Sequence, residues 1–218
     1  MMTLKLAVLI SGRGSNLDAI LRAIDAGTCS AQVLLVVSDR ADAPGLELAR
    51  ARNIPTAVVR MGDYANRAAW DDALFAKVAE AEPELIVLAG FMRLLGRVFI
   101  DRFRQRVINV HPALLPLFPG TTGPAQALEA GVRVSGCSVH LVDHGVDTGE
   151  VIAQAVVPVL PNDDAATLHA RIQKVEHVLL PRVIDAIARG AIELSPTLRV
   201  HSLPDADTAL FSLPNPQR

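Results

Sequence analysis

The 218-residue sequence is poor in cysteine and in aromatic rings, and no sign of charge predominates. The two cysteines, Cys29 and Cys137, are far apart in the chain, which excludes a disulfide framework or a cysteine-rich metal cluster. Two isolated thiols suit a reducing compartment. Aromatic residues make up 4%, so Val, Leu, Ile and Ala must do the packing. Lys and Arg number 21 against 23 Asp and Glu, a net charge of −2, and the sequence pI is about 6.3. Nothing here resembles the basic footprint of a nucleic-acid or anionic-membrane binder, so any anion site must be local. No segment reaches the ~20 apolar residues of a membrane span. The N-terminal run "LAVLI" is too short for a signal-peptide core and leads straight into glycines. These absences predict a cytoplasmic protein with neither membrane nor nucleic acid as partner.

Half of the residues are hydrophobic and the mean hydropathy is +0.32. With so few rings, that suits parallel strands buried on both faces under Ala/Leu-rich helices. Strand-length apolar runs over 5–10, 32–38, 56–60, 84–90 and 106–110 alternate with helical patterns over 15–27, about 43–52 and 64–82, the last containing Trp70. This order predicts a doubly wound, mostly parallel α/β sheet with right-handed crossovers. The pattern then changes. Runs over 136–142 and 150–159 are joined only by the short loop "DHGVDTG", so they must pair as an antiparallel hairpin. A long helical pattern over 165–189 ends at Gly190. The expected organisation is one domain over 1–200, with a phosphate-binding parallel half (1–110) and a catalytic half (111–200). An extended tail follows over 201–218.

Three places carry chemistry. The first is "ISGRGSNL" (10–17), where strand gives way to helix. Glycines let backbone N–H groups approach a ligand, and the helix N-terminus favours negative charge. A tight turn with a capping serine is the plain alternative. The dinucleotide fingerprint has Gly12, Gly14 and a later Asp39, but Leu17 occupies the third glycine position. A P-loop would need Gly-Lys-Ser/Thr, which is absent. A phosphate monoester held by Gly14, Ser15 and Asn16 is the best functional reading.

The second is "VINVHPALLPLFPG" (107–120), in which a buried strand ends at a histidine and a proline-rich turn follows. Asn109 and His111 are two apart, so their side chains leave the same face of the strand. They also lie at its carboxyl end, where open α/β sheets bind ligands. An amide beside an imidazole suits a carbonyl oxygen that gains negative charge. The third place, the 143–149 loop, offers Asp143, His144 and Asp147 as partners. An isolated histidine is more often structural, and Asp and Gly are ordinary turn residues. His140, His169, His177 and His201 have no metal-site spacing. A serine hydrolase using Ser11 or Ser15 would need the missing G-x-S-x-G elbow.

Taken together, "VLISGRGSNLDAI", "SDRADAPGLELAR", "LIVLAGFMRLL", "INVHPALLPLFPG", "GCSVHLVDHGVDTG" and "VEHVLLP" resemble the folate-dependent formyltransferases, most closely the glycinamide ribonucleotide branch of purine biosynthesis. The segments occur in the family's order over residues 6 to 190. The resemblance implies transfer of a formyl group from the co-substrate 10-formyltetrahydrofolate to the amine of glycinamide ribonucleotide, without a metal, by a monomer or homodimer. It implies that Asn109 and His111 stabilise the oxyanion while Asp147 orients His111 and assists proton transfer. Gly14, Ser15 and Asn16 match the phosphate loop and Glu176 the acid that holds the ribose hydroxyls. Arg67, Met92, Arg93, Leu94, Leu95, Asn109, Asp143 and Val146 match the folate side. A cis peptide before Pro116 is also implied.

After "FPG" the chain reads "TTGPAQALEAG", with Thr122 and Pro124 where this branch commonly has histidines. That run, like Glu150 after "DTG", is closer to the methionyl-tRNA formyltransferases. Other amine acceptors, methionyl-tRNA or an amino sugar nucleotide, are therefore the alternative substrates. A folate deformylase and a non-catalytic folate or nucleotide binder are the alternatives of other kinds. A tRNA enzyme would be expected to show a basic surface.

Overall fold

The computed structural model describes residues 3–201 and the short strand Leu210–Phe211. The remainder of the tail expected over 201–218 lies outside the described residues. The chain divides into two compact units, Met1–Ile108 and Asn109–Arg218.

The first unit contains β1 (Leu4–Ile10), α1 (Ser15–Asp25), β2 (Ala31–Ser38), α2 (Gly45–Arg50) and β3 (Thr56–Val58). A 3-10 turn (Met61–Asp63), α3 (Arg67–Ala79), β4 (Leu85–Leu88), α4 (Arg97–Arg102) and the start of β5 (Val107–His111) follow. β2 pairs in parallel with β1 and β3, and β1 pairs in parallel with β4, which gives the order β3-β2-β1-β4. The chain thus moves outward from β1 to β3 and returns to the opposite side of β1. Leu6, Ala7, Val8, Leu9 and Ile10 are wholly buried. Such a continuous apolar run, rather than an alternating one, is what a strand covered on both faces requires.

Local chemistry sets the helix ends. α1 buries Leu17, Ile20 and Leu21 on one side and stops short of Gly27, whose φ of 69° is left-handed. α3 begins at Arg67, later than the periodicity over 64–82 suggests. The Ala69 N–H donates to Asn66 Oδ1 at 3.0 Å, so Asn66 is the cap, and 61–63 form the separate 3-10 turn. Trp70 is fully buried, donates from Nε1 to the Val59 carbonyl at 2.8 Å and stacks on Phe91.

The second unit takes β5 to its end and adds α5 (Gly123–Glu129), β6 (Val134–Leu141), β7 (Val151–Pro158) and α6 (Ala165–Ala188). The short strands β8 (Ile192–Glu193), β9 (Arg199–Val200) and β10 (Leu210–Phe211) follow. β6 and β7 form the expected antiparallel hairpin, with Ser138 opposite Gln154 and an irregularity between Val139 and His140. α6 packs on both of its strands and starts from a capping box of Asp164 and Thr167. The sequence reading did not anticipate α4, α5, β8 or β9. α5 arises within the 119–125 stretch read as loop: Pro124 occupies the first turn, where its missing N–H costs no helical bond. The architecture is a mostly parallel, doubly wound α/β fold with an antiparallel hairpin in its second half. Among the described residues no helix is long and apolar enough to cross a membrane.

Candidate active site

The second unit brings Asn109, His111 and Asp147 together. His111 Nδ1 lies 3.4 Å from Asp147 Oδ2, and Asn109 Nδ2 lies 3.5 Å from Asp147 Oδ1. Asn109 and His111 sit at the end of β5 with one residue between them, so the pleat sends both side chains to one face. Asp147 reaches them from the loop after β6, at φ 53°, a left-handed conformation uncommon outside glycine. Asp147 Oδ2 also accepts from the Gly120 N–H at 2.8 Å. Burial pushes the Asp147 carboxyl up. The His140 hydrogen bond, the Gly120 N–H and the charges of His111 and His140 outweigh it, holding the group below the usual carboxylate range.

His140, which has no metal-site spacing in the sequence, is part of this cluster. Its Nδ1 faces the Leu141 carbonyl at 2.8 Å, and a carbonyl can only accept, so Nδ1 carries a proton. In the neutral ring Nε2 accepts from Asn109 Nδ2 at 3.2 Å, and in the protonated ring it donates to the Asp147 carboxylate instead. Asp147 Oδ1 lies 3.5 Å from the same nitrogen. The missed signal was position: His140 is near the end of β6, in a run that is buried from Ser135 onward. His111 Nε2 donates to the Phe118 carbonyl at 2.9 Å, so the loop after β5 turns back onto its own histidine. The Leu115–Pro116 peptide in that loop is cis. Gln126 on α5 donates to the Pro119 carbonyl and to Thr122 Oγ1, which ties the helix to the loop.

The other expected residues of this unit make none of these contacts with Asp147. Asp143 uses its carboxylate inside its own loop, accepting from the Gly145 N–H and the Thr148 hydroxyl. Val146 projects into solvent. Glu176 is buried on α6, and its charge, after burial itself, pushes up the Cys137 thiol, so the carboxylate is close to β6.

In the first unit the glycine-rich turn lies at the carboxyl end of β1, beside that of β4: Ser11 N–H donates to the Gly90 carbonyl at 3.1 Å. The strand order reverses there, which is where open α/β sheets form their ligand crevice. Gly14 has φ 75°, and a Cβ on it would come within 2.8 Å of Gly45 Cα, so only glycine lets α1 and α2 start this close together. Ser15 and Asn16 open α1, whose first N–H groups have no intrahelical acceptors. A cleft of about 380 Å3 beside the turn is lined by Ser11, Gly12, Asp39, Arg40, Gly90, Met92 and Arg93.

Three tethers hold the segment over 92–94. Met92 N–H donates to Ser11 Oγ at 2.8 Å, Arg93 Nε donates to the buried Asp39 at 2.7 Å, and the Arg67 guanidinium donates to the Leu94 carbonyl. Arg67 also pairs with Asp71 at 3.0 Å and lies over the Trp70 ring, so it acts here as a strut for the segment. Met92 and Leu94 remain well exposed, an unusual amount of apolar surface for tethered backbone, and Leu95 is half-buried.

Residues 4–184 match the family model described as formyl transferase. The phosphoribosylglycinamide formyltransferase of Mycobacterium tuberculosis is 49% identical over 188 residues, which cover 86% of each chain. The trifunctional purine biosynthetic protein adenosine-3 of Drosophila pseudoobscura pseudoobscura is 48% identical over 190 residues, and the chain spans 14% of that relative's length. The crystal structure of glycinamide ribonucleotide transformylase 1 from Symbiobacterium toebii superposes with a TM-score of 0.88 at 41% identity, over 92% of this chain and 95% of that one. With its strand order, hairpin and matched length, the chain belongs to the formyl transferase family.

Proposed function

We infer that the chain transfers the formyl group of 10-formyltetrahydrofolate to the primary amine of glycinamide ribonucleotide, a step of purine biosynthesis. The observation that carries the site assignment is the convergence of Asn109, His111 and His140 on one carboxylate, Asp147, at 3.4–3.5 Å. The likeness to phosphoribosylglycinamide formyltransferases supports formyl transfer to that acceptor.

In this reading the amine nitrogen attacks the formyl carbon. The carbonyl π electrons move to oxygen, and the tetrahedral oxyanion is stabilised by hydrogen bonds from Asn109 and His111. The formyl oxygen takes the His111 Nε2 proton in place of the Phe118 carbonyl, which holds that proton in the free protein. Asp147, ionised and beside Nδ1, orients the ring and accepts the proton that the attacking amine sheds. Collapse breaks the bond from carbon to N10 of the folate. Asp147 gives up the proton it took from the amine, N10 receives it by way of water and leaves as tetrahydrofolate, and the formamide of the acceptor remains.

The acceptor phosphate lies on the backbone of Gly14, Ser15 and Asn16, where the α1 dipole favours it. Glu176 takes the ribose hydroxyls. Met92, Arg93, Leu94, Leu95, Arg67, Asp143 and Val146 form the folate side. The protein works in the cytoplasm, as a monomer or homodimer, with residues 1–200 as one functional domain. The test follows tetrahydrofolate release from 10-formyltetrahydrofolate with and without glycinamide ribonucleotide. Release that needs the ribonucleotide is the expected result, and release without it would point to a deformylase.

A further inference from the structure

We propose that Ser138 and Gln154 are positioning residues for the formyl transfer, acting as a clamp on the loop that touches His111 and Asp147. The proposal rests on the catalytic reading of those two residues. Ser138 is wholly buried on β6, and Gln154 stands opposite it on β7, so both side chains leave the same face of the hairpin. The Ser138 hydroxyl donates to the Ala113 carbonyl at 2.7 Å and accepts from the Leu115 N–H at 2.9 Å and from Gln154 Nε2 at 2.9 Å. The second Nε2 proton of Gln154 goes to the Leu115 carbonyl at 2.9 Å. Ala113 and Leu115, just beyond the end of β5, are thereby held by side chains.

The same face of β6 carries Gly136, Ser138 and His140 at alternate positions. A Cβ at Gly136 would come within 2.9 Å of Leu114 Cδ2, Ser138 holds the residues on either side of Leu114, and His140 meets Asn109 and Asp147. The clamped loop continues to Phe118, whose carbonyl accepts from His111, and to Gly120, whose N–H donates to Asp147. A hydrogen-bonded polar pair inside the hairpin therefore sets the backbone that positions the two reacting side chains. A displacement of that backbone alters the attack geometry without touching the glycine-rich turn of the first unit.

The experiment compares wild type with Ser138→Ala, Gln154→Met and Ser138→Thr, each first shown to be folded by circular dichroism and thermal melting. Misplaced catalytic groups cost about 10- to 100-fold in rate. Ser138→Ala and Gln154→Met should lose kcat on that scale, with the KM for glycinamide ribonucleotide changed by less than about threefold, and Ser138→Thr, which keeps the hydroxyl, should recover most of it. In parallel, the 15N shift of His111 Nε2 should move in Ser138→Ala and Gln154→Met and return in Ser138→Thr. Folded variants with unchanged kcat and an unchanged His111 signal would overturn the proposal. A His111 signal that moves in Ser138→Ala and Gln154→Met, in a protein whose wild type shows no transferase activity, would uphold the clamp while the formyl-transfer reading failed.

Discussion

At the scale of single residues, Asp147 is the pivot: three polar side chains and one backbone N–H converge on its two oxygens. Asp147→Asn keeps the shape but removes the charge and the proton acceptor. Its kcat should fall by about 10²- to 10⁴-fold, with a smaller change in KM for either substrate. The native carboxyl titrates below its ordinary value of 3.8, so the unfolded chain binds that proton at a higher pH than the native one does. Its stabilising contribution is therefore complete above about pH 4 and is lost as the pH falls through the native value. Denaturation curves of wild type and Asp147→Asn should differ above about pH 5, and the difference should shrink as the pH falls below about pH 4. His140 presents an acceptor to the Asn109 amide. His140→Gln can keep an acceptor there and should retain more activity than His140→Ala, which a kcat comparison reads directly.

At the scale of elements, two contacts lock the first unit near its candidate phosphate site. Gly14→Ala puts a methyl group on a left-handed residue against Gly45 Cα and should destabilise the protein by about 1–3 kcal/mol in urea unfolding. It should also raise the KM for the ribonucleotide more than that for the folate. Trp70→Phe removes the donor to the buried Val59 carbonyl and should cost about 1–3 kcal/mol by the same measurement. Most elements were legible because their patterns are long. The buried runs of β1 and β2 and the 24-residue periodicity of α6 leave little choice of structure. α4 and α5, at six and seven residues, are shorter than a period-based reading can resolve. The start of α3 depended on Asn66 rather than Asp63 acting as the cap, and both are capping residues in the sequence.

At the scale of the whole molecule, Asn109 and His111 could be placed on one face from their spacing alone, because the strand pleat is local. Asp147 could be named only as one of several loop carboxylates, since its reach depends on how the hairpin loop turns. His140 was invisible as a partner for the same reason, and Ser138 and Gln154 reveal their link only through the register of β6 on β7. The engagement of Arg67 with Asp71, Leu94 and Trp70 likewise follows from folding rather than from spacing. The central claim is that His111 donates to the oxygen of a formyl group in transit to an amine. Single-turnover transfer of an isotope-labelled formyl group from 10-formyltetrahydrofolate to glycinamide ribonucleotide, in wild type and His111→Ala, tests it most directly. The label should reach the ribonucleotide in wild type, and the chemical step should slow by about 10²- to 10³-fold in the variant. An unchanged single-turnover rate in a folded His111→Ala protein would contradict the account.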